Sequence, residues 1–223
     1  MKMAAFTQIY GDEGQLEIQL MKYDTLGRYV RNLCHEIVFS FHICSESFIK
    51  KVRPIITKLY PNVIFIYYPC MTYLKSFQET LLKMRENGID DVLNINLDVY
   101  GFNGLFNFKN ITHIDDIVEA YKMRPDIKWL NVYGPVSLHH KNKINKVDFY
   151  TSMELNSEAF AANVDFLLNI LNTDLPSEAM TLKCVLKDVP FDCWGVKNVI
   201  FKKINMTNLS QFFDIENINH LIK

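Results

Sequence analysis

Apolar positions in the first half of the chain alternate between two kinds of pattern. From Glu36 to Cys44 the run EIVFSFHIC is apolar, β-branched or aromatic through its middle, as in a strand buried on both faces. Ser45-Glu46-Ser47 follow, residues suited to starting a helix, and Phe48, Val52, Ile55, Ile56 and Leu59 then recur at helical spacing. Pro54 interrupts this stretch, so the helix either begins near it or bends there. Pro61-Asn62 break the chain, and NVIFIYYP reads as a second buried strand. Next comes a longer helix with Leu74, Phe77, Leu81 and Met84 on one stripe and Lys75, Glu79, Lys83 and Glu86 opposite. Asn87-Gly88 is its stop signal, and DVLNINLD, Asp91 to Asp98, is a third strand.

Strand, helix, strand, helix, strand with short joints predicts right-handed crossovers and parallel strands. The expected fold is therefore α/β, a single domain with a central, mostly parallel (mixed) sheet flanked by helices. Ligands in such sheets sit beyond the carboxyl ends of the strands. Three loops should converge there: Cys44-Ser45-Glu46, Pro69-Cys70-Met71 and Asp98-Val99-Tyr100-Gly101.

The second half is less regular. Ile114 to Tyr121 reads as a short helix with Asp115 and Asp116 in its first turn. Trp129 to Tyr133 and Val147 to Met153 read as strands. Asn156 or Ser157 is positioned to cap a helix bearing Phe160, Val164, Leu167, Leu168 and Leu171. Thr181 to Leu186 and Asn198 to Ile204 are further strand candidates, and Pro190 to Gly195 looks loop-like.

Composition changes this picture only by exclusion. With 223 residues, 49% of them hydrophobic, one large core is expected, with no linker dividing it. A net charge of -1 gives no electrostatic reason to expect nucleic-acid binding. The start, MKMAAFTQIYGDEG, lacks the pattern of a secretory leader, and no segment reaches the roughly 20 apolar residues of a membrane span. A cytoplasmic protein is the expectation. The five cysteines are widely spaced without a CxxC pair, which argues for reduced thiols rather than disulfides or structural zinc. No GxSxG and no Gly-rich phosphate loop occurs, which disfavours serine-hydrolase and P-loop chemistry.

The segment ending at Asp98 is the most informative. A carboxylate at the end of a buried strand, before an irregular Gly-containing loop, is placed to hold a divalent metal against a diphosphate. It is equally placed to cap the strand end. Asn96, two residues earlier, points the same way as Asp98 in an extended strand.

The elements from Glu36 to Tyr100, and YLKSFQETLLKMRENGIDDVLNINLDVYG in particular, resemble the nucleotide-binding half of GT-A glycosyltransferases. They look closest to the small glycosyltransferase domains of large DNA viruses. The resemblance implies a nucleotide-binding half at about 36–105 and an acceptor half at about 106–223. It implies transfer of a sugar from a nucleotide diphosphate-sugar, UDP-sugar first, to an acceptor hydroxyl on a glycan or protein. Mn2+ or Mg2+ would assist, in the host cytoplasm if the source is viral. Asp98 matches the metal-binding second Asp of the family's DxD motif, whereas Asn96 stands in place of the first. That loss of one acid leaves room for a non-catalytic interaction or nucleotide-binding module of the same fold.

By the same comparison, the loop after the first strand would face base and ribose, nominating His42, Cys44, Ser45 and Glu46. His42 reads equally as a core histidine. Tyr67 and Tyr68 offer rings to stack on a base or to pack in the core. A late histidine completes the metal site in some family members, which nominates His220; an ordinary tail residue is the other reading. His139-His140 suits a loop, because adjacent histidines diverge, and Lys141 and Lys143 beside them are candidates for phosphate contact. An inverting transferase needs a base, with Glu154, Glu158 and Asp192 as candidates. Trp194 is placed to stack on a sugar or to fill the core. A hydrolase built on Cys44 or Cys70 is the remaining alternative.

Overall fold

The computed structural model describes residues 1–9, 36–42, 44–59, 63–68, 72–95, 99–101, 114–132, 141–144, 147–152, 155, 157, 159–171, 182–186, 192–196 and 201–203. The strands are β1 (Met3–Ile9), β2 (Glu36–His42), β3 (Val63–Tyr68), β4 (Asp91–Ile95), β5 (Val99–Gly101), β6 (Trp129–Asn131), β7 (Lys141–Ile144), β8 (Val147–Ser152), β9 (Ala159–Asn163), β10 (Cys193–Val196) and β11 (Phe201–Lys203). The helices are α1 (Glu46–Leu59), α2 (Tyr73–Glu86), α3 (Ile114–Lys122), α4 (Val164–Leu171) and α5 (Leu182–Leu186). Nine strands form one mixed sheet in the order β3-β2-β1-β4-β9-β6-β10-β8-β7, and β11 pairs with β5 in a second, two-stranded sheet.

The three strands expected from periodicity are β2, β3 and β4, and they run parallel as expected. They do not pair with one another directly throughout, however. β1 lies between β2 and β4, parallel to both, with Ala5 opposite Ile37 on one side and Leu93 on the other. The sequence reading passed over this strand. Its run MAAFTQI holds two alanines, poor strand formers, and no alternation. What makes it a strand is burial on both faces: Met3, Ala4, Ala5 and Phe6 are all sealed from solvent.

The order β3-β2-β1-β4 means that the chain winds outward from β1 through β2 to β3, then returns to the other side of β1. Helices therefore cover both faces. α2 packs Leu74, Phe77, Leu81 and Met84 against Phe6, Val38 and Val92 in the larger core. Fully burying a side chain such as Phe77 contributes roughly 1.5–3 kcal/mol. On the opposite face, Arg53 of α1 lies over the Phe65 ring of β3 at 5.0 Å. Pro54 sits inside α1 at an exposed position, so the helix neither starts nor stops there.

Five further expectations are corrected. Phe160 lies in β9, and the helix it was expected to join begins only at Val164. The run AFAAN has helical propensity, but β4 and β6 flank it and supply ladder partners on both sides. The cap of α4 is accordingly Asn163, whose Oδ1 accepts from Phe166 N at 3.0 Å, in place of Asn156 or Ser157. The stretch expected as a strand at 181–186 is the short helix α5, because Leu182 and Leu186 at i,i+4 bury together on the larger core. The loop-like stretch around Trp194 is strand β10, paired with β6 and β8, and Val99–Gly101 is strand β5. Short strands of three or four residues leave too little pattern to read.

Candidate site at the carboxyl ends of the strands

The winding reverses between β1 and β4. In an open α/β sheet the crevice for a ligand opens at such a reversal, beyond the carboxyl ends of the two strands. On β1 this end is Gln8-Ile9, and on β4 it is Ile95, immediately before Asn96 and Asp98. The end of β1 is thus a part of the site that sequence reasoning missed. Only its continuous apolar start, MAAF, hinted at a strand there.

Beside this crevice, Cys44 is buried, whereas Ser45 and Glu46 are exposed at the start of α1. Ser45 caps the helix: its Oγ accepts from Phe48 N at 3.2 Å, and its carbonyl accepts from Ile49 N at 3.1 Å. Ser45 Oγ also lies 2.9 Å from Ser47 Oγ. The Ser45 hydroxyl is therefore already engaged in forming the helix, and the Glu46 carboxylate is the charged group exposed beside it. Tyr67, near the end of β3, directs its OH at the Cys44 carbonyl (3.5 Å) while the residue stays 38% exposed. Its ring offers a flat apolar surface at the carboxyl edge. His42 and Tyr68 end β2 and β3 opposite one another in register.

On the far side of β4, the amide of Asn94 donates to the Ser157 carbonyl at 3.4 Å, and Ala159 pairs with Ile95. The segment entering β9 is thus held against the carboxyl end of β4. Three residues separate β4 from β5, which pairs with β11, setting Tyr100 opposite Lys202 and Val99 opposite Lys203. This pairing draws the late part of the chain to the segment that directly follows Asp98, something no local sequence signal announced. Asn96, Asp98, Glu154, Glu158 and His220 lie outside the described residues, as do Cys70, His139 and His140. Among the described residues no group of three His, Cys, Asp or Glu side chains can hold a metal ion.

Asp192 is placed elsewhere. Cross-strand register puts Val92, Ala162, Trp129, Cys193 and Ser152 in one row. β10 runs parallel to β6, and both run antiparallel to β9, so all three of β4, β6 and β10 point the same way. Asp192, just before Cys193, therefore stands at the amino ends of these strands. Ile95 is three rows further along, about 10 Å at the usual strand rise. The sheet does not bring Asp192 together with Cys44, Glu46 or the end of β4. Trp194 is committed at the same amino edge, where the Arg124 guanidinium covers its ring at 5.0 Å. Lys141 and Lys143 belong to the edge strand β7.

Trp129, Asn131 and Cys193, between the two edges, form one chain of hydrogen bonds. Trp129 Nε1 donates to Asn131 Oδ1 at 2.8 Å, and Asn131 Nδ2 donates to Cys193 Sγ at 3.4 Å. Burial pushes the Cys193 thiol up to about 12, only partly offset by that hydrogen bond, so it is no thiolate nucleophile at neutral pH.

Neither a protein-family model nor a curated protein sequence matches the chain. Solved structures do share its fold. A 4-diphosphocytidyl-2C-methyl-D-erythritol synthase from Anaerococcus prevotii aligns over 98% of this chain and 97% of its own, with a TM-score of 0.52 and 13% identity. A UDP-glucose pyrophosphorylase complexed with UDP-glucose aligns over 100% of both chains, at TM-score 0.56 and 10% identity. GalNAc-T7, solved with UDP, GalNAc and Mn2+, aligns over 99% of this chain but 48% of its own, at TM-score 0.57 and 9% identity. The α/β fold with a mixed sheet is thus that of the nucleotide-diphospho-sugar transferases. Among the described residues no helix is long and apolar enough to cross a membrane.

Proposed function

We propose that this protein is a nucleotide-sugar-dependent glycosyltransferase that binds a UDP-sugar across the carboxyl ends of β1 and β4. The observation that carries this reading is the reversal of winding between those strands. It puts the crevice of a nucleotide-diphospho-sugar transferase fold directly beside the strand that leads to Asp98. The solved neighbours that hold UDP-glucose, or UDP with Mn2+, support the choice of ligand class.

In this reading the base and ribose lie over the β2 and β3 ends, near His42, Cys44, Ser45, Glu46 and Tyr68, with Tyr67 available for stacking. Asp98 and His220 would hold Mn2+ or Mg2+, since carboxylate oxygen and imidazole nitrogen are donors these metals accept, and Asn96 would orient the donor. The metal, when bound, offsets the charge on the departing diphosphate. Lys202 and Lys203, brought beside the segment after Asp98 by the β5–β11 pairing, would add to that compensation. The acceptor hydroxyl, on a glycan or a protein, needs a base. Glu158 is favoured over Asp192 because its neighbours Ser157 and Ala159 are fixed at the carboxyl end of β4. Glu154 stands as the second candidate. The viral resemblance, and with it a host-cytoplasmic setting, rests on the segment from Tyr73 to Gly101.

Calorimetric titration with UDP, with and without Mn2+, tests the reading. Metal-dependent binding that disappears in Asp98→Ala is expected, and unchanged affinity in that variant would sink the assignment. Turnover of UTP with a sugar 1-phosphate, but not of a UDP-sugar, would move the chain to pyrophosphorylase chemistry. Absence of any nucleotide binding would favour a non-catalytic module.

A further inference from the structure

The sheet does not end level along its carboxyl edge. Tyr150 of β8 pairs with Gly195 of β10, which stands level with Asn131, Phe160 and Asn94 on β6, β9 and β4. Phe149 is therefore level with Val196 and with Ile95, the last residues of β10 and β4. β8 begins two residues earlier, at Val147, and β7 runs beside it as far as Ile144. The β7–β8 pair thus rises two rows, roughly 7 Å at the usual strand rise, beyond the ends of β4 and β10. It does so at the edge where the crevice opens, four strand spacings from β4, or roughly 19 Å.

One face of this rim is core and the other is not. Val147 and Phe149 are fully buried, whereas Asp148 and Tyr150, which alternate with them, are half-buried. In register, Lys143 stands opposite Asp148 and Lys141 opposite Tyr150, on that second face. The stretch KNKINKVD, residues 141–148, holds three lysines against one acid, in a chain whose net charge is -1. Asp148 offsets one of those charges, so positive charge remains in surplus beside an aromatic residue.

We infer that the half-buried face of the β7–β8 pair is the far end of the acceptor site and selects an acidic oligosaccharide. This rests on the transferase reading, in which the acceptor hydroxyl meets the donor beside β4. A chain of several sugars with its reacting hydroxyl there extends along the carboxyl edge to the rim. The surplus lysine charge matches carboxylates on that chain, and Tyr150 matches the apolar face of a sugar ring. A neutral glycan leaves the cations unmatched. An acidic protein segment offers the charge without the flat apolar face of a pyranose.

Calorimetric titration of the full chain with tetragalacturonate, in the presence of UDP and Mn2+, tests the inference, with neutral maltotetraose and tetraglutamate as controls. Tetragalacturonate should bind at least about tenfold more tightly than either control, and its binding should weaken as salt is raised. Lys141→Ala/Lys143→Ala should lose at least about tenfold in that affinity while UDP affinity stays within about twofold. Lys141→Arg/Lys143→Arg keeps the charge and should bind as the parent does, which separates lost charge from a damaged fold. Equal affinity for the two saccharides, or unchanged tetragalacturonate affinity in the alanine variant, overturns the proposal. Tighter binding of tetraglutamate overturns it too and assigns the rim to an acidic protein segment. UDP binding without tetragalacturonate binding sinks this inference alone. Tetragalacturonate binding through the lysines without UDP binding sinks the transferase reading and leaves the rim as a glycan-binding face.

Discussion

Tyr121 of α3 donates its hydroxyl to Asp91 Oδ1 at 3.1 Å, tying the helix to the first residue of β4 across a buried interface. Asp91 is only 3% exposed, and its Oδ2 has no hydrogen-bond partner among the described residues. Burial raises the carboxyl above its ordinary value, and the Tyr121 hydrogen bond offsets this only in part. The folded state therefore holds the Asp91 proton more tightly than the unfolded chain does. Its contribution to stability is full below the unfolded value, near 3.8, and is lost as pH rises through the higher folded value. Asp91→Asn should remove this loss, so that the melting temperature toward higher pH rises relative to the parent and depends less on pH. A variant whose melting curve keeps the parent's pH dependence would show that Asp91 is not its source.

Removing the partner should do the opposite. Tyr121→Phe leaves both Asp91 oxygens buried without that donor, at a cost of roughly 1–3 kcal/mol. Urea unfolding near neutral pH measures it. The loss should shrink in an Asp91→Asn background, because the penalty depends on the buried charge.

Trp129 and Phe160 stack with ring centroids 3.9 Å apart and planes 19° from parallel, both sealed from solvent where β6 meets β9. Phe160→Ala should cost roughly 3–5 kcal/mol, read by urea unfolding with Trp129 fluorescence as the probe. A loss under about 1 kcal/mol would mean that Phe160 does not occupy this core.

The same residue shows where sequence reasoning stops. Phe160 and Val164 have the spacing of one helix face, and alanines around Phe160 favour a helix. Only the ladder partners on β4 and β6, Asn94 and Asn131, which are 66 and 29 residues away in the chain, make the run a strand. β1 went unread for a related reason: buried on both faces, it needs no alternation, and Ala4 and Ala5 carry no strand signal of their own. Where each element announces itself locally, as with α2 and its stop at Asn87-Gly88, the reading held. Gly88 does adopt the positive φ of 69° expected of that stop. The site divides along the same line. The place of Cys44, Ser45 and Glu46 between a strand and a helix was legible because the two patterns meet there. The nearness of β11 to β5, and the distance of Asp192 from the other candidates, follow from pairings between remote segments.

The thiol alternative names Cys44 and Cys70, of which Cys44 is described, and Cys193 serves as its comparison. The raised Cys193 pKa of about 12 leaves almost no thiolate at neutral pH, and Cys44 is buried. Native protein treated with iodoacetamide at pH 7 should remain unlabelled at both positions by mass spectrometry, and unfolded protein should label at both. Rapid labelling of native Cys44 with loss of an activity would revive the hydrolase reading.

In the proposed reading, strand direction separates the candidate bases. β4, β6 and β10 all run one way, so a residue before β10 and a residue after β4 stand at opposite edges of the sheet. Asp192 is exposed at the amino edge, whereas Ser157 and Ala159, which flank Glu158, are held at the carboxyl edge by Asn94 and Ile95. A base must come within hydrogen-bond reach of the acceptor hydroxyl, and loss of a general base lowers turnover by about 100-fold or more. Glu158→Gln should therefore lower kcat for transfer from a UDP-sugar on that scale while leaving UDP affinity within about twofold. Asp192→Asn should leave both unchanged. The reverse result would mean that the acceptor reaches the amino edge, which the register of β10 on β6 does not permit for a donor seated beside Asp98.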